Sequence, residues 1–181
     1  MSWLSTFILK LLGWRISIHI TEPEKCVLCV APHTSNCDFI YALLYDKSRG
    51  GKTHFLMKKA WFFWPLGVFF RSLGGIAVDR SRKSHLTDDI ATQIISSDNF
   101  KIAITPEGTR SANAEWKRGF YYIALKAQVP IILYVLDYST RTILCEKQIF
   151  PSGNVDDDML YIKQYYAKFE NAAKYPDKFI L

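Results

Sequence analysis

No apolar run in this chain reaches the roughly 20 residues that a membrane-crossing helix requires. The densest run, Ala60-Trp61-Phe62-Phe63-Trp64-Pro65-Leu66-Gly67-Val68-Phe69-Phe70, is far shorter and contains Pro65 and Gly67, so one straight core helix is a poor description of it. Cysteine is scarce, with residues at 26, 29, 37 and 145, and two of the four share one apolar stretch. That arrangement excludes a disulfide framework and leads to the expectation of reduced thiols in a cytosolic setting. Cys26-x-x-Cys29 has neither a second CxxC nor a histidine pair to complete four ligands. Because residues three apart in a strand face opposite sides, no metal is expected and both cysteines read as small buried hydrophobes. A Gly-x-Ser-x-Gly elbow is missing, which removes that route to a serine nucleophile. Repeats and low-complexity tracts are also missing, and residues 2–14 lack the basic n-region and small-residue cleavage site of a signal peptide.

A length of 181 residues suits one domain that buries its own core. Lys and Arg number 23 against 17 acidic residues, a net charge of +6, which suits an anionic partner such as nucleic acid, a phosphorylated metabolite or a lipid surface. The basic residues are dispersed and the aromatics keep apolar company, so no nucleic-acid partner is expected. Two segments concentrate the aromatics. Residues 2–14 place Trp3, Leu4, Phe7, Ile8, Leu11 and Leu12 at helical spacing before Gly13. Such an amphipathic helix either packs on its own domain or anchors at an interface with Trp3 and Trp14 at headgroup depth. Residues 60–70, between Lys59 and Arg71, read as a bent segment lining an acyl groove or dipping into lipid, with ordinary core packing as the alternative. The expected division is an interfacial helix over 1–14 and one catalytic domain over 15–181.

Strand-like runs at 15–20, 26–31, 53–57, 76–78, 101–105, 129–136 and 142–149 alternate with helical patterns near 38–45, 86–97, 120–127 and 156–173. The expected fold is α/β: a single domain with a mostly parallel central sheet flanked by helices, preceded by the amphipathic helix. Asn36 and Ser84 are the expected N-caps, residues 47–52 the expected loop, and Asp156-Asp157-Asp158 a helix first turn rather than a metal cluster.

Three apolar runs end in charged turns: 26–31 in Pro-His-Thr-Ser-Asn-Cys-Asp, 76–78 in Asp-Arg, and 101–105 in Pro-Glu-Gly-Thr-Arg. In a parallel sheet these ends share one edge, where such sheets bind ligands. His33 is suited to act as a base near neutral pH, and Asp38 to orient it and stabilise the imidazolium. Thr34, Ser35 and Cys37 lie too close along the turn to serve as nucleophile, and Cys37 reads as packing. The attacking group is then a substrate hydroxyl deprotonated by His33. Arg80 and Arg110 leave strand ends beside turns, where a planar guanidinium fits a phosphate, unless Arg80 pairs with Asp79 or Glu107.

Taken in order, these segments resemble the glycerophospholipid acyltransferase superfamily, which includes 1-acylglycerol-3-phosphate and glycerol-3-phosphate acyltransferases, in a short bacterial-type form. His33-Thr-Ser-Asn-Cys-Asp38 matches its HxxxxD block, Gly74 to Arg80 its second, Pro106-Glu107-Gly108-Thr109-Arg110 its third and Val129-Pro130-Ile131-Ile132 its fourth. The resemblance implies His33 as general base with Asp38 as charge partner. It also implies direct transfer of an acyl group from acyl-CoA or acyl-carrier protein to a lysophospholipid-like hydroxyl, with no cofactor beyond that co-substrate. Arg80, Glu107, Gly108, Thr109 and Arg110 match positions for the acceptor and its phosphate, and Lys58 a basic position that touches phosphate or the developing oxyanion. The implied setting is peripheral, at the cytoplasmic face of a membrane. Two departures stand out: one short N-terminal helix replaces a long membrane hairpin, and Thr105 replaces the usual hydrophobic or aromatic residue before Pro106. Acyl-thioester hydrolysis and non-catalytic lipid-surface binding are the competing readings.

Overall fold

The computed structural model describes residues 2–79 and 85–181. Arg80 and Ser84, both singled out above, lie outside the described residues. In order the chain forms α1 (Ser2–Leu11), β1 (Arg15–Ile18), β2 (Lys25–Ala31), α2 (Asn36–Ser48), β3 (His54–Lys58), α3 (Leu66–Ser72) and β4 (Gly75–Val78). It continues with α4 (Leu86–Ser96), β5 (Phe100–Ile104), α5 (Gly119–Ala127), β6 (Ile131–Asp137), β7 (Thr142–Ile149) and α6 (Val155–Ala167). Among the described residues the strands make one seven-stranded sheet in the order β1-β7-β6-β2-β5-β3-β4. The five strands from β6 to β4 run parallel, β7 turns back antiparallel on β6, and β1 follows β7. The mostly parallel α/β architecture expected from the alternation is what forms.

β2 shows why its run is apolar throughout. It lies between β5 and β6, and both its faces are covered. Val27, Cys29 and Ala31 enter a core with side chains of α4, α5 and α6, while Cys26 and Leu28 enter a second core with Leu9, Trp14 and Tyr45. A strand buried on both faces has no position for a polar side chain. Cys26 and Cys29, both fully buried, are thus packing groups on opposite faces.

Crossover geometry distributes the helices. The β2-α2-β3 and β3-α3-β4 units step one way across the sheet, and β4-α4-β5 and β5-α5-β6 step back. Right-handed crossovers then put α2 and α3 on one face, shared with α1, and α4 and α5 on the other, shared with α6.

Several boundaries differ from expectation. α2 runs on to Ser48, into the expected loop, and its N-cap is Ser35 rather than Asn36. α6 stops at Ala167, and a short 3-10 turn over Glu170–Ala172 follows where helix was expected. Asn154 caps α6; Asp158 accepts from Tyr121 Oη (2.7 Å) and Ser152 N–H (2.7 Å), and Asp156 pairs with Arg118, as befits a helix start.

α1 turns only a narrow face to the domain. Ser5 and Leu9 face inward, while Trp3, Leu4, Phe7, Leu11 and Leu12 are exposed, so most of the apolar stripe points away from the domain. Trp14, a headgroup residue in the anchor reading, is instead 5% exposed and stacks against Tyr41 and Tyr138. The aromatic segment bends as expected, through a 3-10 turn at Lys59–Trp61 into α3. Gly67 allows the bend, because a Cβ there would meet the Phe62 carbonyl oxygen at 2.6 Å. Trp61, Phe63, Trp64, Val68 and Phe69 are exposed, with Trp64 at 84%.

Candidate active site

The turn from β2 into α2 is built by a capping box. Ser35, in extended conformation, accepts the Cys37 N–H on its hydroxyl (3.2 Å), and Asp38 at the third helical position accepts the Ser35 N–H (2.9 Å). The same Asp38 oxygen accepts the Thr34 N–H at 2.9 Å and lies 3.1 Å from His33 Nδ1. The acid that starts the helix is therefore also the acid that orients the histidine. Asp38 is 3% exposed and His33 18%. A carboxylate only accepts, so the His33 proton sits on Nδ1 and Nε2 keeps its lone pair. Asp38 Oδ1 accepts a further bond from the Tyr138 hydroxyl. Burial raises the pKa of that hydroxyl, and its bond to the Asp38 carboxylate raises it further.

Glu107 approaches from the next strand end. Its Oε2 accepts the His33 backbone N–H at 2.6 Å, while Oε1 is buried without a hydrogen-bond partner among the described residues and the residue is 3% exposed. Burial pushes its carboxyl up to about 8, with the nearby Asp38 charge adding and the His33 N–H opposing. At neutral pH it holds a proton. Its loop folds back through Gly108 at φ +67°, and is pinned by Lys117 N–H on Pro106 O (2.6 Å) and Asn113 Nδ2 on Glu107 O (3.0 Å).

Strand order places the other expected residues along the same edge. The carboxyl ends of β2, β5, β3 and β4 are consecutive neighbours, so His33, the 106–110 loop and Lys58 line up in that sequence. Gly108, Thr109, Arg110 and Lys58 are exposed there, whereas Glu107 is turned beneath His33. Asp79 Oδ2 lies 3.5 Å from Lys59 Nζ.

Three contributors escaped the sequence reading. Ser35-x-x-Asp38 had a legible capping signal. Tyr138, a hundred residues from Asp38, had none. From the C-terminal segment, Tyr175 N–H reaches Thr34 Oγ1 (3.2 Å) and Lys174 Nζ lies 3.1 Å from Cys37 Sγ. Cys37 is thus not core packing: it is partly exposed, and the Lys174 ammonium beside it holds its thiol below the usual value.

The family model described as acyltransferase matches residues 15–136, from β1 to near the end of β6. The chain belongs to the acyltransferase family. This family member is 31% identical over 147 residues to human 1-acyl-sn-glycerol-3-phosphate acyltransferase beta, covering 78% of this chain and 51% of that one. It is 28% identical over 131 residues to the 1-acyl-sn-glycerol-3-phosphate acyltransferase of Haemophilus influenzae, covering 67% and 53%. The chain spans about half the length of these relatives. Its fold matches the crystal structure of the 1-acyl-sn-glycerophosphate acyltransferase PlsC from Thermotoga maritima with a TM-score of 0.65 at 15% identity, over 92% of this chain and 75% of that one.

Proposed function

We propose that this acyltransferase-family protein moves a fatty acyl group from a thioester, acyl-CoA or acyl-carrier protein, to the free hydroxyl of a 1-acylglycerol-3-phosphate-like acceptor. The observation that carries this reading is the His33–Asp38 pair. Nδ1 is committed to Asp38, Nε2 is left for a substrate, and among the described residues no serine, threonine or cysteine side chain is hydrogen-bonded to the ring. His33 Nε2 takes the acceptor hydroxyl proton as the oxygen attacks the thioester carbonyl. The tetrahedral intermediate expels the thiolate, which leaves with the proton returned by the imidazolium, so no acyl-enzyme forms. Neutral Glu107 holds the His33 backbone without adding a second negative charge beside Asp38. Lys58, Thr109 and Arg110 supply donors along the exposed edge for the acceptor phosphate and the developing oxyanion, with Arg80 continuing that series in sequence.

The setting is a membrane surface at its cytoplasmic face. Trp3, Phe7 and Leu11 of α1 are exposed, as are Trp61 and Trp64 in the turns before α3 and Phe69 within it. Among the described residues no helix is long and apolar enough to cross a membrane. An exposed apolar surface flanked by Lys59 and Arg71 suits insertion to headgroup depth.

The decisive assay incubates the purified protein with labelled acyl-CoA and a panel of lyso-acceptors on vesicles, and identifies products. A diacyl product that depends on the acceptor, and that His33→Ala reduces about a thousandfold, is expected. Free fatty acid formed equally without acceptor identifies a thioesterase instead. Vesicle binding without turnover identifies a lipid-surface protein.

A further inference from the structure

Asp38 has two oxygens and they are held very differently. Oδ2 carries three contacts: the N–H groups of Thr34 and Ser35 and the His33 ring. These fix one oxygen as a pivot, about which the carboxylate plane can still swing. Among the described residues Oδ1 has a single partner, the hydroxyl of Tyr138. A second point of attachment fixes the plane, and with it the direction in which Oδ2 presents its lone pair to Nδ1.

The phenol is itself held from every side. Tyr138 opens the β6–β7 turn, and its N–H donates to Ala172 O at 2.8 Å. Asp137 closes that turn by accepting from Ser139 N–H (2.8 Å), Thr140 N–H (3.2 Å) and both hydroxyls. The ring meets Trp14 edge-on at 5.2 Å and Tyr41 at 5.8 Å, while Trp14 and Tyr41 pack on each other at 4.3 Å. Backbone, turn and aromatic stack converge on one hydroxyl position, and that position is Asp38 Oδ1.

We infer that Tyr138 is a positioning residue of the catalytic pair: its O–H locks the Asp38 carboxylate plane, and through it the imidazole of His33. This rests on the base assignment made above. The donated bond also shares the charge of Asp38. The other ionisable groups facing this pair are Cys37 at the start of α2 with Lys174 beside it, Tyr41 one turn on, and Glu107 behind His33. All of them stay in place when only the Tyr138 oxygen is removed.

Tyr138→Phe keeps the ring in its stack. It is expected to lower kcat about tenfold, the scale at which a misaimed catalytic group is felt. KM for donor and acceptor should stay within about twofold. Tyr41→Phe, which removes a hydroxyl from the same stack without touching Asp38, should change neither. A Tyr138→Phe enzyme with the kcat of the parent, or one whose loss lies in KM, overturns the inference. So does a Tyr41→Phe enzyme with the same defect. The Nδ1–H proton resonance of His33, identified by its disappearance in His33→Ala, gives a readout independent of turnover. It should be sharp in the parent and broadened by solvent exchange in Tyr138→Phe, and an unchanged line overturns the inference. Absence of acyl transfer by the parent protein counts against the base assignment alone, since the resonance still tests the hydroxyl's hold on Asp38.

Discussion

At the amino edge of the sheet, Glu22, whose side chain is 2% exposed, receives Arg49 on both oxygens (3.0 and 2.9 Å), Lys101 at 2.9 Å and the Tyr134 hydroxyl. At the carboxyl edge, buried Glu107 receives one backbone N–H and leaves an oxygen without a partner among the described residues. Burial raises the pKa of both carboxyls. At Glu22 the Arg49, Tyr134 and Lys101 bonds overcome it and the net shift is downward, whereas at Glu107 burial prevails and the value climbs to about 8. At the amino edge one carboxylate is held by two cations and a hydroxyl. The carboxyl edge leaves Lys58 and Arg110 exposed and keeps its buried acid neutral next to the Asp38 carboxylate, an arrangement that fits the proposed site.

The contrast predicts opposite slopes of stability with pH. Glu107 holds its proton up to about 8 when folded, against an ordinary value of 4.5. Its contribution is therefore complete below pH 4.5 and is lost as pH rises through 8. Glu22 contributes above its ordinary value of 4.5 and loses that contribution as pH falls through its lowered value. Glu107→Gln, a neutral isostere of the protonated acid, should abolish the alkaline decline. The gain over the parent should grow by on the order of 3 kcal/mol from pH 5 to pH 8.5 in denaturant titrations. A parallel decline in both proteins breaks the contrast. Next in size is Arg49→Met, which keeps an apolar stem over the Tyr45 ring but removes two bonds from Glu22. It should cost about 2 kcal/mol of stability at pH 7 while leaving kcat unchanged, because Lys101 and Tyr134 remain. A loss of turnover without loss of stability would assign the amino edge a role in catalysis. The smallest effect is expected of Arg110→Lys. An ammonium does not reproduce the bidentate fork, so the acceptor KM should rise about tenfold, or ~1.4 kcal/mol, with the donor KM unchanged. An unaltered acceptor KM would place the phosphate elsewhere along the edge.

Local patterns in the chain determined the strand runs, the α/β alternation and the His33–Asp38 spacing, because each reports a period or a turn within a few residues. They also placed Cys26 and Cys29 on opposite faces of a buried strand. Even Ser35 as the cap was legible, since the capping box needs only residues three apart. Tertiary structure decided the rest. Outward exposure of the α1 stripe, burial of Trp14 and the Lys174–Cys37 contact all depend on which segment packs against which. The two fates of Glu22 and Glu107 depend on charges that arrive from other strands and helices. Tyr138 is the clearest case: its hydroxyl reaches Asp38 because β6 lies beside β2 in a parallel sheet, a neighbour relation between segments a hundred residues apart. A dyad can be spelled in six consecutive residues, but the plane of its carboxylate is set by a strand pairing that no local pattern encodes.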